Sequence, residues 1–366
     1  MMKGLRILVL ICLFLTSVVY GQQTQKYIHN EYLFDRGEEM IEKLNYTKAQ
    51  HFFKQYIETD PLGVHVIDAQ YYIGYCALHL TQDGDKGEKI LLTWKDKFPK
   101  HPKAISVHVE LAKFYYSKKK YKEAIAYYND IDRDEIPSEL IDEINFELAY
   151  SYFLTKDLAS AGHYFDLAKR TNHQYTYAAN YYSGYLKFKK KEYNQALKDF
   201  KTAEANSKYA KVVPFMVTNI YYQQGKDAEV IKYGTEILST NKGGGKKKDI
   251  ALLVAESYFN IKEYTNAFTY YDLSIGKKLS KDRSVNYKYA YAAFKGEKFS
   301  HAIKGFNLVL SKEDSLGQYA AYYLAQSYIK NNNKNAAIIA LKRASKSDKN
   351  KKIQIESLYD LSLIHI

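Results

Sequence analysis

Two cysteines, one tryptophan and five prolines are all that 366 residues hold of those three types. Cys12 lies in an apolar N-terminal run, so a chain that sheds that run keeps Cys76 alone and can form no internal disulfide. Stability must then come from packing. Cys76 itself, between Tyr75 and Ala77, reads as a small core residue rather than a reactive thiol. Scarce proline excludes a proline-rich linker and suits long uninterrupted helices. Long hydrophobic runs are missing as well: no segment reaches the roughly 18 to 20 apolar residues that cross a bilayer as a helix, and the mature chain is expected to be soluble without a transmembrane segment.

The first 21 residues are a separate object. Lys3 and Arg6 precede the apolar run Ile7 to Val19, and Val19-Tyr20-Gly21 stands before the expected cut at Gln22. That order predicts a secretory signal peptide over 1–21 and export to a periplasmic or secreted location. Ile11, where a lipoprotein signal has a small residue before its cysteine, argues against lipidation of Cys12. Formal net charge is +13 at pH 7, and +11 once Lys3 and Arg6 are gone. The lysines gather at Lys118 to Lys120, Lys189 to Lys191, Lys246 to Lys248 and Lys349 to Lys352, with acidic residues between. Such spacing describes a solvated surface with weak attraction to anionic membrane surfaces, and no nucleic acid is expected as a partner of an exported chain.

Tyrosine, by contrast, reaches 38, and it recurs in phase. Anchor positions fall at Ala49, Gly87, Ala124, Ala161, Ala196, Val230, Ala267, Ala302 and Ala337, separated by 34 to 38 residues. A small residue precedes most anchors by 12 (Gly37, Ala112, Ala149, Gly184, Ala255, Ala290, Ala325), with Gly74 at 13 and Thr218 as the exception. Four residues after most anchors comes a large apolar group: Phe53, Leu91, Tyr128, Phe165, Phe200, Tyr271, Phe306 or Leu341. This is the pattern of two amphipathic helices that cannot bury their faces alone and must stack on neighbours, the large group filling the space between repeats. The sixth unit departs from it, with Gly234 where a large group is usual, and predicts a looser or bent junction; Gly243 to Gly245 follow as a hinge.

With Met40, Tyr115, Tyr152, Tyr221, Tyr258 and Tyr328 before the turn, Tyr46, Tyr121, Tyr193, Tyr264 and Phe299 after it, and Pro61 and Pro99 closing units, residues 27 to 346 resemble the tetratricopeptide repeat family, envelope or secreted type. The stretch Phe98-Pro99-Lys100-His101-Pro102 resembles linkers of envelope members working with the outer-membrane β-barrel assembly machinery and beside the Tol-Pal system. The resemblance implies an all-α fold, an α-solenoid with a right-handed superhelix of about nine helix-turn-helix repeats. It divides the chain into the signal peptide, an array over 22–348, and over 349–366 the first helix of a further, truncated repeat.

No catalytic or metal-binding motif stands in the sequence. Gly243 to Lys248 lacks the spacing of a phosphate loop, the histidines lack the i, i+4 pairing of a helical zinc site, and the Ser117 to Lys120 and Ser274 to Lys277 tetrads lack companion acyl-enzyme motifs. No enzyme, metal or cofactor is implied. Nor does a carboxylate clamp emerge, Asn219 alone matching one. The expected function is a protein-protein interaction scaffold of the bacterial cell envelope, binding peptide segments or envelope assembly components on its concave face; the alternative is the recognition arm of a longer enzyme or signalling protein. Taking residues three before and four after each small position gives the partner-binding groove: Tyr71, Phe146, Phe153, Tyr181, Phe188, Phe215, Tyr222, Phe259, Tyr287, Phe294 and Tyr322.

Overall fold

The computed structural model describes residues 31–80, 84–169, 174–240, 244–275 and 280–364. The expected signal peptide and Cys12 lie outside them, as do Gly243 of the glycine run and Lys277 of the second tetrad. Helices and turns make up the described chain, and two compact units divide it, one ending at Thr171 and the other beginning at Asn172.

In the first unit α1 (31–42) pairs with α2 (Tyr46–Thr59), α3 (Val66–His79) with α4 (Gly84–Lys97), α5 (Ala104–Ser117) with α6 (Tyr121–Asn129), and α7 (Ser138–Thr155) with α8 (Leu158–Ala168). In the second, the pairs are α9 (Thr176–Lys189) with α10 (Tyr193–Glu204), α11 (Val213–Gln223) with α12 (Asp227–Ser239), α13 (Lys247–Asn260) with α14 (Tyr264–Ile275), α15 (Arg283–Lys295) with α16 (Phe299–Val309), and α17 (Ser315–Lys330) with α18 (Lys334–Lys346). A last helix, α19 (Lys351–Ile364), packs on α17 and α18 in the place of a tenth first helix. The second helices open where the sequence places their aromatics, at Tyr46, Tyr121, Tyr193, Tyr264 and Phe299.

Every anchor sits on a second helix, facing its hairpin partner, and is fully buried. Close approach is the reason. A methyl group added at Gly87 would lie 2.1 Å from the backbone nitrogen of Leu78, so at that anchor even alanine is too large. A methyl on Gly37 would sit 2.6 Å from the Phe53 ring, so the large group four past the anchor fills the notch left by the small residue of its own hairpin. It also reaches onward, since Phe53 stacks on Tyr72 of the following hairpin at 4.9 Å and Phe306 on Tyr323 at 6.2 Å. The same ring therefore seals a repeat and joins it to the next.

The expected loose junction at the sixth repeat is corrected. A Cβ on Gly234 would stand 2.4 Å from the Val254 methyl of α13, so the missing side chain admits Val254 and brings α12 and α13 together. Glycine marks close contact there, with Val230, Ile237, Ile250 and Val254 buried in one cluster.

Among the described residues, the turns inside eight hairpins follow one backbone rule. The residue five before the anchor is left-handed at Leu44, Lys119, Lys156, Lys191, Gly225, Lys262, Glu297 and Asn332, with φ between 55° and 72°. In seven of these turns the next N–H reaches back across the turn, as from Lys120 to the Tyr115 carbonyl at 2.9 Å, while Lys119 donates to Tyr116 at 2.9 Å. This paired geometry satisfies the carbonyls at the end of the first helix.

Candidate interaction surface

Tyrosine serves two structural tasks before it can serve a partner. Three past the small position and three past the anchor, rings from the two helices of a hairpin meet: Tyr115 with Tyr127 at 5.6 Å, Tyr152 with Tyr164 at 5.8 Å, Tyr258 with Tyr270 at 5.5 Å, and Tyr221 with Tyr233 edge-on at 6.3 Å. Their hydroxyls donate to carboxylates of the preceding second helix where these are near, Tyr115 and Tyr127 to Glu88 and Tyr233 to Glu204. In the α9–α10 hairpin those two positions hold Lys187 and Asp199 instead, an ion pair at 2.9 Å between a buried carboxylate and a half-buried ammonium.

A further set of rings lies half-buried where the first helices meet the starts of the second. In the second unit it runs through three hairpins: Phe259 touches Tyr264 (5.4 Å) and Tyr291 (6.0 Å), Tyr264 touches Tyr291 (5.4 Å), Tyr291 touches Tyr323 (5.0 Å), Tyr323 touches Phe294 (5.6 Å), and Phe294 touches Phe299 (6.1 Å). Tyr287 adds to it through Tyr291 at 6.1 Å and Tyr322 through Tyr323 at 5.3 Å. The first unit repeats the device in smaller form, Tyr116, Tyr121 and Tyr150 meeting edge-on at 6.0 to 6.3 Å.

Polar groups border the ladder. Glu256 on α13 accepts from Tyr271 Oη at 2.7 Å and from Lys288 Nζ, and the Lys288 ammonium lies 5.7 Å from the centre of the Phe259 ring. Burial raises the Tyr287 and Tyr323 phenols well above their ordinary range, so both stay protonated and can donate a hydrogen bond throughout physiological pH.

The eleven rings chosen from the sequence divide by what covers them. Tyr71 and Phe146 are buried, at 5% and 8% exposure, Tyr71 edge-on to Trp94 and Phe146 against Phe165. They belong to the core. Phe153 is half-buried and packs on Tyr150 and Phe165. Tyr181 stacks on Tyr209 at 4.9 Å and Phe188 meets Tyr193 at 6.0 Å. Phe215 and Tyr222 flank the Val230–Val254 cluster, with the Lys246 ammonium 5.4 Å from the Phe215 ring centre. Phe259, Tyr287, Phe294 and Tyr322 are the four that the ladder brings together. Tyr264, Tyr291, Phe299 and Tyr323 were missing from that set. The signal for Tyr291 was present: residues three before, one after and four after the small position lie at i, i+4 and i+7, on one face of a helix. That rule also finds Tyr150, which bridges Phe146 and Phe153 at 6.2 and 6.5 Å.

No protein-family model and no curated protein sequence matches the chain. Solved structures similar to it include the C-terminal part of a tetratricopeptide repeat-containing protein from Cytophaga hutchinsonii, 19% identical over 68% of this chain and 98% of that one, with a TM-score of 0.45. A tetratricopeptide repeat protein from Parabacteroides merdae is 12% identical over 73% and 99%, with a TM-score of 0.39. The pilF protein of Pseudomonas aeruginosa is 15% identical over 61% and 97%, with a TM-score of 0.40. Antiparallel helix pairs recurring every 34 to 38 residues, small residues on the first helix and a buried anchor on the second, give both units of this chain the tetratricopeptide-repeat fold.

Proposed function

We propose that the chain is a non-catalytic interaction scaffold, exported by a signal peptide to the bacterial cell envelope, that holds a peptide segment or an envelope protein on the first-helix face of its repeats. The observation that carries this reading is the ring ladder from Phe259 to Phe299. Core packing already employs the stacked tyrosine pairs and the large groups after each anchor, whereas the ladder lies half-buried along a face shared by successive hairpins. Rings there offer broad contact area with few torsions to freeze, and their hydroxyls can bond a peptide backbone. Lys288 and Glu256 at its edge would set the direction of a bound segment. Sequence features support export, and Gln22 would then be the first residue of protein recovered from the envelope fraction. Partners captured there by the tagged native chain should be weakened by about 1 to 3 kcal/mol on Tyr264→Ala or Tyr291→Ala, with the helical circular dichroism kept. Unchanged capture alongside a lowered melting temperature would leave these rings a purely structural task and end the proposal.

A further inference from the structure

The residue just before the small position is buried in seven repeats: Leu111, Leu148, Ser183, Val217, Val254, Tyr289 and Leu324. In the second repeat the residue there is Ile73, and it is left partly open. The opening is a groove of about 420 Å³ on the α3–α4 hairpin, floored by Ile73, Ile90, Trp94 and Phe98 and rimmed by Lys89 and Lys97. Its volume is within the ordinary range for ligand sites, roughly 300 to 1,000 Å³. Both lysines are exposed, and neither forms an ion pair among the described residues; Lys97 lies 5.2 Å from the Phe98 ring centre. No carboxylate lines the groove.

We infer that this groove binds a fatty-acid carboxylate, its hydrocarbon chain laid over Ile73, Ile90, Trp94 and Phe98 and its head group held by the lysines of the rim. Three features select that occupant. The floor is apolar, so it removes an alkyl chain from water where the two touch. The rim carries charge of one sign, which favours an anionic head over a cationic or neutral one. Gln70 and Thr93 are the uncharged polar side chains of the lining, too few to satisfy the donors and acceptors of an extended peptide backbone. The site is separate from the ring ladder and stands whether or not the ladder binds a partner.

Trp94 is the single tryptophan of the chain, so its emission reports this groove alone. Titrating the full mature chain with sodium dodecanoate, below the concentration at which it forms micelles, should give a saturable change in that emission. Dodecyltrimethylammonium, with the same chain and the opposite charge, should bind at least about tenfold more weakly, the equivalent of 1.4 kcal/mol. The doubly substituted Lys89→Glu, Lys97→Glu chain, changed only at exposed positions, should keep its circular dichroism and invert that preference. An unsaturable response, equal affinity for the two surfactants, or dodecanoate binding unaffected by the double substitution would each overturn the inference. So would a short acidic peptide with leucine and phenylalanine that displaced dodecanoate at lower concentration, since the groove would then serve a protein segment.

Discussion

Glu147 is a carboxylate set where its charge is disfavoured. It sits on α7 at 8% exposure, accepts the hydroxyl of Tyr128 on α6, and faces Glu143 of its own helix and Glu110 and Lys113 of α5. Burial is the largest influence and raises its carboxyl to about 7, with Glu143 and Glu110 adding repulsion while the Tyr128 hydrogen bond and Lys113 pull the other way. The folded state therefore holds a proton that the unfolded chain has already released near its ordinary value of 4.5. Stability from this group is complete below about 4.5 and is lost as pH rises through about 7, a decline of up to about 3 kcal/mol. Urea unfolding of the native chain at pH 5 and pH 8 should show it, and Glu147→Gln, which keeps a polar partner for Tyr128, should flatten the difference. An equal pH slope in the variant would place the titration elsewhere. Asp199 shows the other course open to a carboxylate in the core, a close ion pair with Lys187.

Among the elements, the turn inside the hairpins, described in eight of them, is the feature that sequence conceals. Left-handed backbone is ordinarily announced by glycine, but Gly225 alone announces it here; lysine stands in the same conformation at 119, 156, 191 and 262. A side chain in that region is disfavoured by about 1 kcal/mol. Lys191→Gly is exposed, leaves every contact in place, and should raise the melting temperature of the second unit by roughly 2 to 4 °C. Gly225→Lys should lower it by a similar amount, and no shift in either would mean that the turns are not strained. The helices were legible because their signals are local: anchors, turn-opening aromatics and small positions all fall where period and residue size put them. Gly234 was misjudged because a glycine in a sequence looks like a void, and only the neighbouring helix reveals that Val254 occupies it. Tyr291 follows from a third position on each first-helix face, one past the small residue, whereas Tyr323, two before Ala325, lies off that rule and is joined to the ladder only by the packing of successive hairpins.

At the scale of the whole molecule, apolar surface is unevenly distributed. Ile355, Leu358, Tyr359 and Leu363 make one stripe of α19 and are exposed at 65%, 53%, 64% and 50%, while Ile353 and Ser357 on the opposite side are buried. The corresponding side of α17 is covered in part by α19 itself, through the Gln326 to Asp360 hydrogen bond at 2.5 Å and packing of Leu361 and Ile364. Four large side chains spaced along one helix face form an exposed apolar patch of the kind that drives association. Sedimentation of the 366-residue chain should detect self-association that Leu358→Lys with Tyr359→Lys abolishes, and a parent chain that stays monomeric at high micromolar concentration would contradict this.

The spacing from small position to anchor is held at 12 residues in eight of nine hairpins, and the entire spread of 34 to 38 in the period arises from that single exception and from the segments between hairpins. A left-handed residue and its paired hydrogen bonds lock the inner turn, so an added residue there would rotate the second helix by 100° and swing its anchor off the partner helix. Linkers between hairpins have no such lock. A residue gained or lost in a joint leaves both helices of a hairpin paired, so the joints are where this architecture absorbs changes of length at least structural cost.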